Sequence, residues 1–206
     1  MPPEGNRTHV KLDEIPDYVQ DSVLAAEDRD FWDNSGFSFT GLGRAVVGKV
    51  TGNEDAGGGS TITQQYVKNT LVGNEYSYVR KARELIYSIK MTNQWEKEDI
   101  LAAYLNTVYF GRNAYGIEAA AQTYFGIPAK DLRVEQAALL AGMVQSPTRF
   151  NPARNPEGTV KRRNLVLNAM EKNGYLTEEE HAEAVAQPAI AGFHCDGAEE
   201  QPLADM

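Results

Sequence analysis

Helix punctuation recurs from one end of this chain to the other, and no alternating strand run interrupts it. Asp13-Glu14-Ile15-Pro16 sets a proline near a helix start, and Tyr18, Val19, Val23 and Leu24 then recur at helical spacing up to Glu27. Asn155-Pro156 is a cap followed by a first-turn proline, and Thr177 with Glu180 forms a capping box. Gly126-Ile127-Pro128 and Gln145-Ser146-Pro147 punctuate between helices. Helices are expected at about 60–71, 77–94, 97–107, 114–125, 133–145, 157–173 and 178–186, with a short amphipathic stretch over 40–50. The expected fold class is mainly α. At 206 residues the length fits one domain, or two lobes around a core.

The net charge of −9 belongs to one end of the chain. Residues 176–206 carry eight acids and no Lys or Arg, which leaves 20 bases against 21 acids elsewhere. The body is therefore near neutral and can still present a basic cleft. No broad basic stripe marks it as a nucleic-acid binder. Cys195 stands alone, so neither a disulfide framework nor a cysteine metal site forms within one chain. There is no signal peptide and no apolar run of about 18 residues. The opening MPPEGNRTHVKLDEIP reads as the start of a segment within a longer protein.

The segment 58–84, GGSTITQQYVKNTLVGNEYSYVRKARE, carries the chemistry. Surface helices ordinarily carry Glu and Lys, whereas this one carries Ser60, Thr61, Gln64, Gln65 and then Lys68. At 100° per residue, Thr61, Gln64, Gln65 and Lys68 share one face, suited to sugar hydroxyls and phosphate oxygens. On the next helix, Tyr78, Val79, Ala82, Leu85, Ile86 and Ile89 form the expected core stripe, with Arg80 and Glu84 opposite. Taken alone, Arg80 and Glu84 fit a surface ion pair equally well. Glu27, followed by Phe31 and Trp32, fits either a buried proton-transfer carboxylate or a surface acid at a helix end. Phe37, Phe39, Leu42, Val46, Val47 and Val50, with Arg44 and Lys49, fit a core helix or an interfacial one. Arg44, Arg162 and Arg163 fit an added role in phosphate recognition or, as is more common, that of solvated cations. No G-x-S-x-G, H-E-x-x-H or S-x-x-K occurs, so a serine penicillin-binding centre is absent from this chain.

Five motifs in register carry a resemblance over roughly residues 12–187. They are Glu27-Asp28-Arg29-Asp30-Phe31 closing at Gly36; Gly59-Ser60-Thr61-Ile62-Thr63-Gln64-Gln65 with Lys68-Asn69; Arg80-Lys81-x-x-Glu84; Ile100-Leu101-x-x-Tyr104-Leu105-Asn106 continuing to Tyr109 and Gly111; and Arg162-Arg163 with Val166-Leu167. The chain resembles the peptidoglycan glycosyltransferase domain of class A penicillin-binding proteins and their monofunctional relatives, glycosyltransferase family 51.

The resemblance implies a lysozyme-like bilobal helical fold, with a small mobile membrane-facing lobe and loop over 37–59. Residues 1–11 would flank the domain, and 188–206 would form an acidic linker or tail. The implied reaction polymerises lipid II into glycan strands, inverting MurNAc C1 and releasing undecaprenyl pyrophosphate. Glu27 matches the general base and Glu84 the acid on the leaving-group side. Arg44, Lys68 and Arg80 match pyrophosphate-binding positions. Ser60, Thr61, Gln64, Gln65, Asn69 and Lys81 match cleft positions. A divalent cation, Mg or Mn, would engage Glu84 through the pyrophosphate.

The implied partners are lipid II, the growing lipid-linked glycan, the outer leaflet of the bacterial cytoplasmic membrane and a transpeptidase domain in the parent chain. The chain departs from the family pattern at Asn34 (usually His), Tyr76 (commonly Arg) and Ala102 (usually Glu). A lysozyme-like glycan hydrolase or lytic transglycosylase, and a lipid II-binding scaffold, are the competing readings.

Overall fold

The computed structural model describes residues 9–52, 59–73 and 77–188. Among them the architecture is helical: α1 (Asp17–Glu27), α2 (Phe39–Thr51), α3 (Ile62–Val67), α4 (Tyr78–Gln94), α5 (Lys97–Leu105), α6 (Ile117–Phe125), α7 (Val134–Val144), α8 (Pro156–Lys172) and α9 (Glu178–Ala186). No strand occurs among the described residues, only an isolated bridge between Tyr109 and Tyr115. The tail expected over 188–206 lies outside the described residues beyond Pro188, as do positions 1–8 of the flank and 53–58 of the loop.

Helix α7 is the spine. Every residue from 135 to 143 is buried, and α1 and α8 pack against it. An all-round buried helix needs small residues where its neighbours cross. Ala137, Ala138, Ala141 and Gly142 supply them; a Cβ at Gly142 would stand 3.0 Å from Arg162 Cγ. Helix α1 sets Val19, Val23 and Leu24 into the same core and ends at Glu27, so the first candidate acid emerges from a rigid element. The caps read from the sequence form: Asn155 Oδ1 accepts from Gly158 N–H, and Thr177 exchanges bonds with Glu180.

Two expectations are corrected. The helix expected over 60–71 is not uniform, because α3 passes into a π-helical turn at Lys68–Val72. Gly73 N–H closes that turn onto Lys68 O, and Thr70 Oγ1 donates to Tyr66 O. Helix α4 is inverted relative to its apolar periodicity. Tyr78 is 98% exposed, and Val79, Leu85 and Ile86 are exposed too, while Glu84, Ser88 and Met91 are buried. The helix is held by its polar face. Gly36, at φ +87°, presses so closely on α4 that a Cβ there would lie 2.5 Å from Ser88 O. Burial therefore followed hydrogen-bonding surface rather than apolar surface on this helix.

Candidate active site

The site is built around the segment 59–68. Its helix α3 starts at Thr61, whose Oγ1 accepts from Gln64 N–H while Gln64 Oε1 accepts from Thr61 N–H. Thr61 Oγ1 also donates to Gly36 O, and Thr61, Thr63 and Gln64 are all buried. The polar stripe read from the sequence thus divides. Thr61 and Gln64 are engaged in capping and anchoring the helix, and Gln65 and Lys68 are the members directed at Glu27. Asn69 lies exposed on the π-helical turn.

The anchoring extends to the loop after α1. Asp28, buried beside Glu27, accepts from Ile62 N–H at 3.0 Å and from Asn34 Nδ2 on both carboxylate oxygens. Lys97 Nζ donates to the carbonyls of Phe31 and Asn34 and lies over the Phe31 ring. Burial pushes the Asp28 carboxyl up to about 6, against the lowering effects of the Ile62 N–H, Asn34 and Lys97. Burial likewise lowers the Lys97 ammonium, which Asp28 and Asp33 oppose. Asn34 thus supplies a neutral donor to Asp28. Of the two aromatics after Glu27, Phe31 is fully buried and Trp32 is 44% exposed.

Glu27 is partly exposed at the end of α1. Its Oε2 accepts from Gln65 Nε2 at 2.7 Å, and Gln65 Oε1 accepts from the buried Tyr104 hydroxyl at 3.0 Å. Burial raises the Glu27 carboxyl above its ordinary value; the Gln65 bond and the charges of Arg162 and Lys68 oppose the rise. A carboxyl raised by burial and hydrogen-bonded by an amide is a candidate proton acceptor.

Glu84 has different surroundings. It is 1% exposed, with Arg80 Nη1 on Oε2 at 2.8 Å and Lys81 Nζ on Oε1. Lys81 Nζ also donates to Ser60 Oγ at 3.3 Å. Two cations on one carboxylate give this end a positive excess, and the buried Arg80 Nε has no hydrogen-bond partner. Such an arrangement suits an anion with several acceptor oxygens. The residues present do not by themselves make a divalent-cation site. Both Glu84 oxygens already face cations, and no cluster of three metal-ligating side chains occurs among the described residues.

Segment 59–68 therefore reaches Glu27 directly, through Gln65, and Glu84 only indirectly, through the bond from Lys81 to Ser60. Arg44 lies on α2, but its side chain falls outside the described residues, as does Tyr76. Arg162 and Arg163, expected to be solvated, are 6% and 2% exposed. Arg163 donates to the carbonyls of Val185, Gln187 and Pro188 and so closes the end of α9. Sequence reasoning did not single out Tyr104, Asp28, Lys97 or Arg162 as site residues. Three of them sit inside quoted motifs, yet periodicity carries no information about partners 34 to 135 positions away.

The profile of the transglycosylase family matches residues 2–171. The chain is 50% identical over 194 residues to penicillin-binding protein 1A of Mycolicibacterium smegmatis, covering 92% of this chain and 25% of that protein. It is 49% identical to penicillin-binding protein 1A of Mycobacterium tuberculosis (90% and 23% covered) and 44% identical to penicillin-binding protein 1A/1B of Bacillus subtilis (86% and 20%). The chain thus spans a fifth to a quarter of the length of these relatives. The crystal structure of penicillin-binding protein 1A from Haemophilus influenzae superposes with a TM-score of 0.54 at 25% identity, covering 90% of this chain and 18% of that one. The mainly α, lysozyme-like architecture expected from the sequence stands. The chain belongs to the transglycosylase family and is a peptidoglycan glycosyltransferase domain.

Proposed function

We propose that this domain polymerises lipid II, with Glu27 as general base and the cluster around Glu84 receiving the leaving pyrophosphate. The observation that carries this reading is the contrast between the two acids. One is raised by burial and touched by a neutral amide; the other is buried under two cations.

The chemistry follows from that contrast. Glu27 takes the proton from the acceptor GlcNAc 4-hydroxyl. That oxygen attacks C1 of the donor MurNAc from the face opposite the pyrophosphate, so the configuration inverts. The bond from C1 to the pyrophosphate oxygen breaks, and undecaprenyl pyrophosphate leaves. Charge growing on the leaving group is met by Arg80 and Lys81, which exchange part of their hold on Glu84 for phosphate oxygens, and Lys68 supplies a further cation from the Glu27 side. Ser60 and Gln65 belong to the same segment, and Arg44 is proposed as a further substrate-binding residue from its match to the family's motif alone. A positioned base contributes roughly 10²- to 10⁴-fold. A divalent cation would be held through the pyrophosphate oxygens beside Glu84 rather than by a set of protein ligands.

The outward apolar face of α4, with Leu71 beside it and Phe39, Leu42, Val47 and Val50 on α2, supports docking on the outer leaflet that holds the lipid-linked substrates. No helix among the described residues is long and apolar enough to cross a membrane. The greater length of the relatives supports a parent protein with a transpeptidase domain outside this chain.

The test is incubation with lipid II in detergent. The reading predicts a ladder of glycan polymer with one undecaprenyl pyrophosphate released per bond formed. Soluble fragments from purified sacculi, without polymer from lipid II, would mark a hydrolase or lytic enzyme instead.

A further inference from the structure

We propose that Tyr104 is a positioning residue: its buried hydroxyl fixes the Gln65 amide so that the NH₂ end, and not the oxygen, faces Glu27. This rests on the reading of Glu27 as the base. A glutamine amide is nearly symmetric in shape, and reversal exchanges a donor for an acceptor. Reversed, Gln65 Oε1 would lie against the Glu27 carboxylate where Nε2 now donates at 2.7 Å. The correct orientation supports the ionised base; the reversed one opposes it.

Tyr104 is placed to enforce the choice. It stands on α5, is 1% exposed, and donates to Gln65 Oε1 at 3.0 Å. A buried hydroxyl hydrogen needs an acceptor, and leaving it without one costs more than an ordinary hydrogen bond contributes. Burial, with the charges of Glu27 and Asp28, lifts the phenol well above its ordinary range, so the hydroxyl stays a donor at every working pH. The result is a directed chain from α5 through α3 to α1: the Tyr104 hydroxyl to the Gln65 carbonyl oxygen, and the Gln65 amide hydrogen to the Glu27 carboxylate. Each donor polarises the next. The other charged groups facing Glu27 are Lys68, at the end of α3, and Arg162, on α8. Neither is hydrogen-bonded to Gln65, so neither sets the amide's orientation.

The test is the pH dependence of kcat and KM for lipid II in wild type, Tyr104→Phe, Gln65→Ala, the double variant and Glu27→Gln. Phe keeps the ring that packs the core. Tyr104→Phe should move the acid limb of kcat upward by about half to one pH unit, a loss of about three- to tenfold on the limb. Rates should converge on the alkaline plateau, with KM within about twofold of wild type. In the Gln65→Ala background the same change should add less than about twofold. A uniform loss at every pH, or full additivity in the double variant, would overturn the inference. Should Tyr104→Phe fail to fold, a ring-fluorinated tyrosine at position 104 keeps the shape and makes a stronger donor; it should move the limb downward, and an unmoved limb contradicts the role. Glu27→Gln separates the two levels. A variant as active as wild type removes the base assignment itself, whereas an inactive one beside an unshifted Tyr104→Phe profile removes only this inference.

Discussion

The Gln65 amide donates to the Glu27 carboxylate at 2.7 Å across 38 positions of sequence. One short segment, 59–68, thereby links the end of α1 to the cation-bearing face of α4, because Ser60 at its other end accepts from Lys81.

Glu84 and Arg80 should be energetically coupled. Glu84→Gln leaves a mostly buried guanidinium without its charge partner and should cost about 1–3 kcal/mol in stability. The double change with Arg80→Met should cost less than the sum of the single ones. Urea unfolding of the four proteins measures the coupling; strict additivity would show that the pair stabilises nothing.

Gly36→Ala should be among the most damaging single-methyl additions. The residue sits at φ +87°, and the new Cβ would meet the Ser88 backbone at 2.5 Å. Relief requires the 34–38 loop to part from α4, which also strains the bond from Thr61 to Gly36 O. The expected loss is about 2–4 kcal/mol, with turnover falling in parallel. Thermal melts read the first and lipid II turnover the second.

Asp21 gives a stability prediction with a defined sign. Burial, reinforced by Asp17, lifts its carboxyl to about 6 in the folded chain. The folded state therefore holds its proton at pH values where the unfolded chain has lost it. Stability from this group declines as pH rises from about 4 to 6 and stays lower above that window. Asp21→Asn should stabilise the domain by about 1 kcal/mol at pH near 8, the partly exposed position discounting the full linkage value, and should do nothing below about pH 4. Chemical denaturation at the two pH values checks it.

The outward face of α4 should be dispensable for folding and needed for docking. Val79→Ser and Ile86→Ser alter exposed side chains, so stability should stay within about 0.5 kcal/mol. Binding to anionic vesicles and turnover of membrane-embedded lipid II should fall several-fold, while turnover in detergent holds. Destabilisation instead of lost binding would return that face to the core.

Local signals in the sequence were dependable where they answered local questions. The cap at Asn155, the capping box at Thr177 and the buried stripe of α1 needed only neighbouring residues. The pairing of Arg80 with Glu84 was legible for the same reason, since both lie one turn apart on one helix. Periodicity failed on α4 because it measures which side is apolar, not which side is covered. It failed at Lys68–Val72 because a π-helical turn depends on Gly73 N–H reaching Lys68 O. The buried state of Arg162 and Arg163 was hidden since their enclosure comes from α7 and α9. The hydrogen bonds from Ile62 N–H to Asp28 and from the Tyr104 hydroxyl to Gln65 are tertiary, and no spacing rule reaches them.

Glu27→Gln carries the most direct test of the account. The change keeps the shape of the side chain and removes its capacity to take a proton. With lipid II in detergent, the account predicts that the variant binds substrate, folds as wild type does, and polymerises at least about a hundredfold more slowly. Glycan polymer formed at the wild-type rate would contradict it.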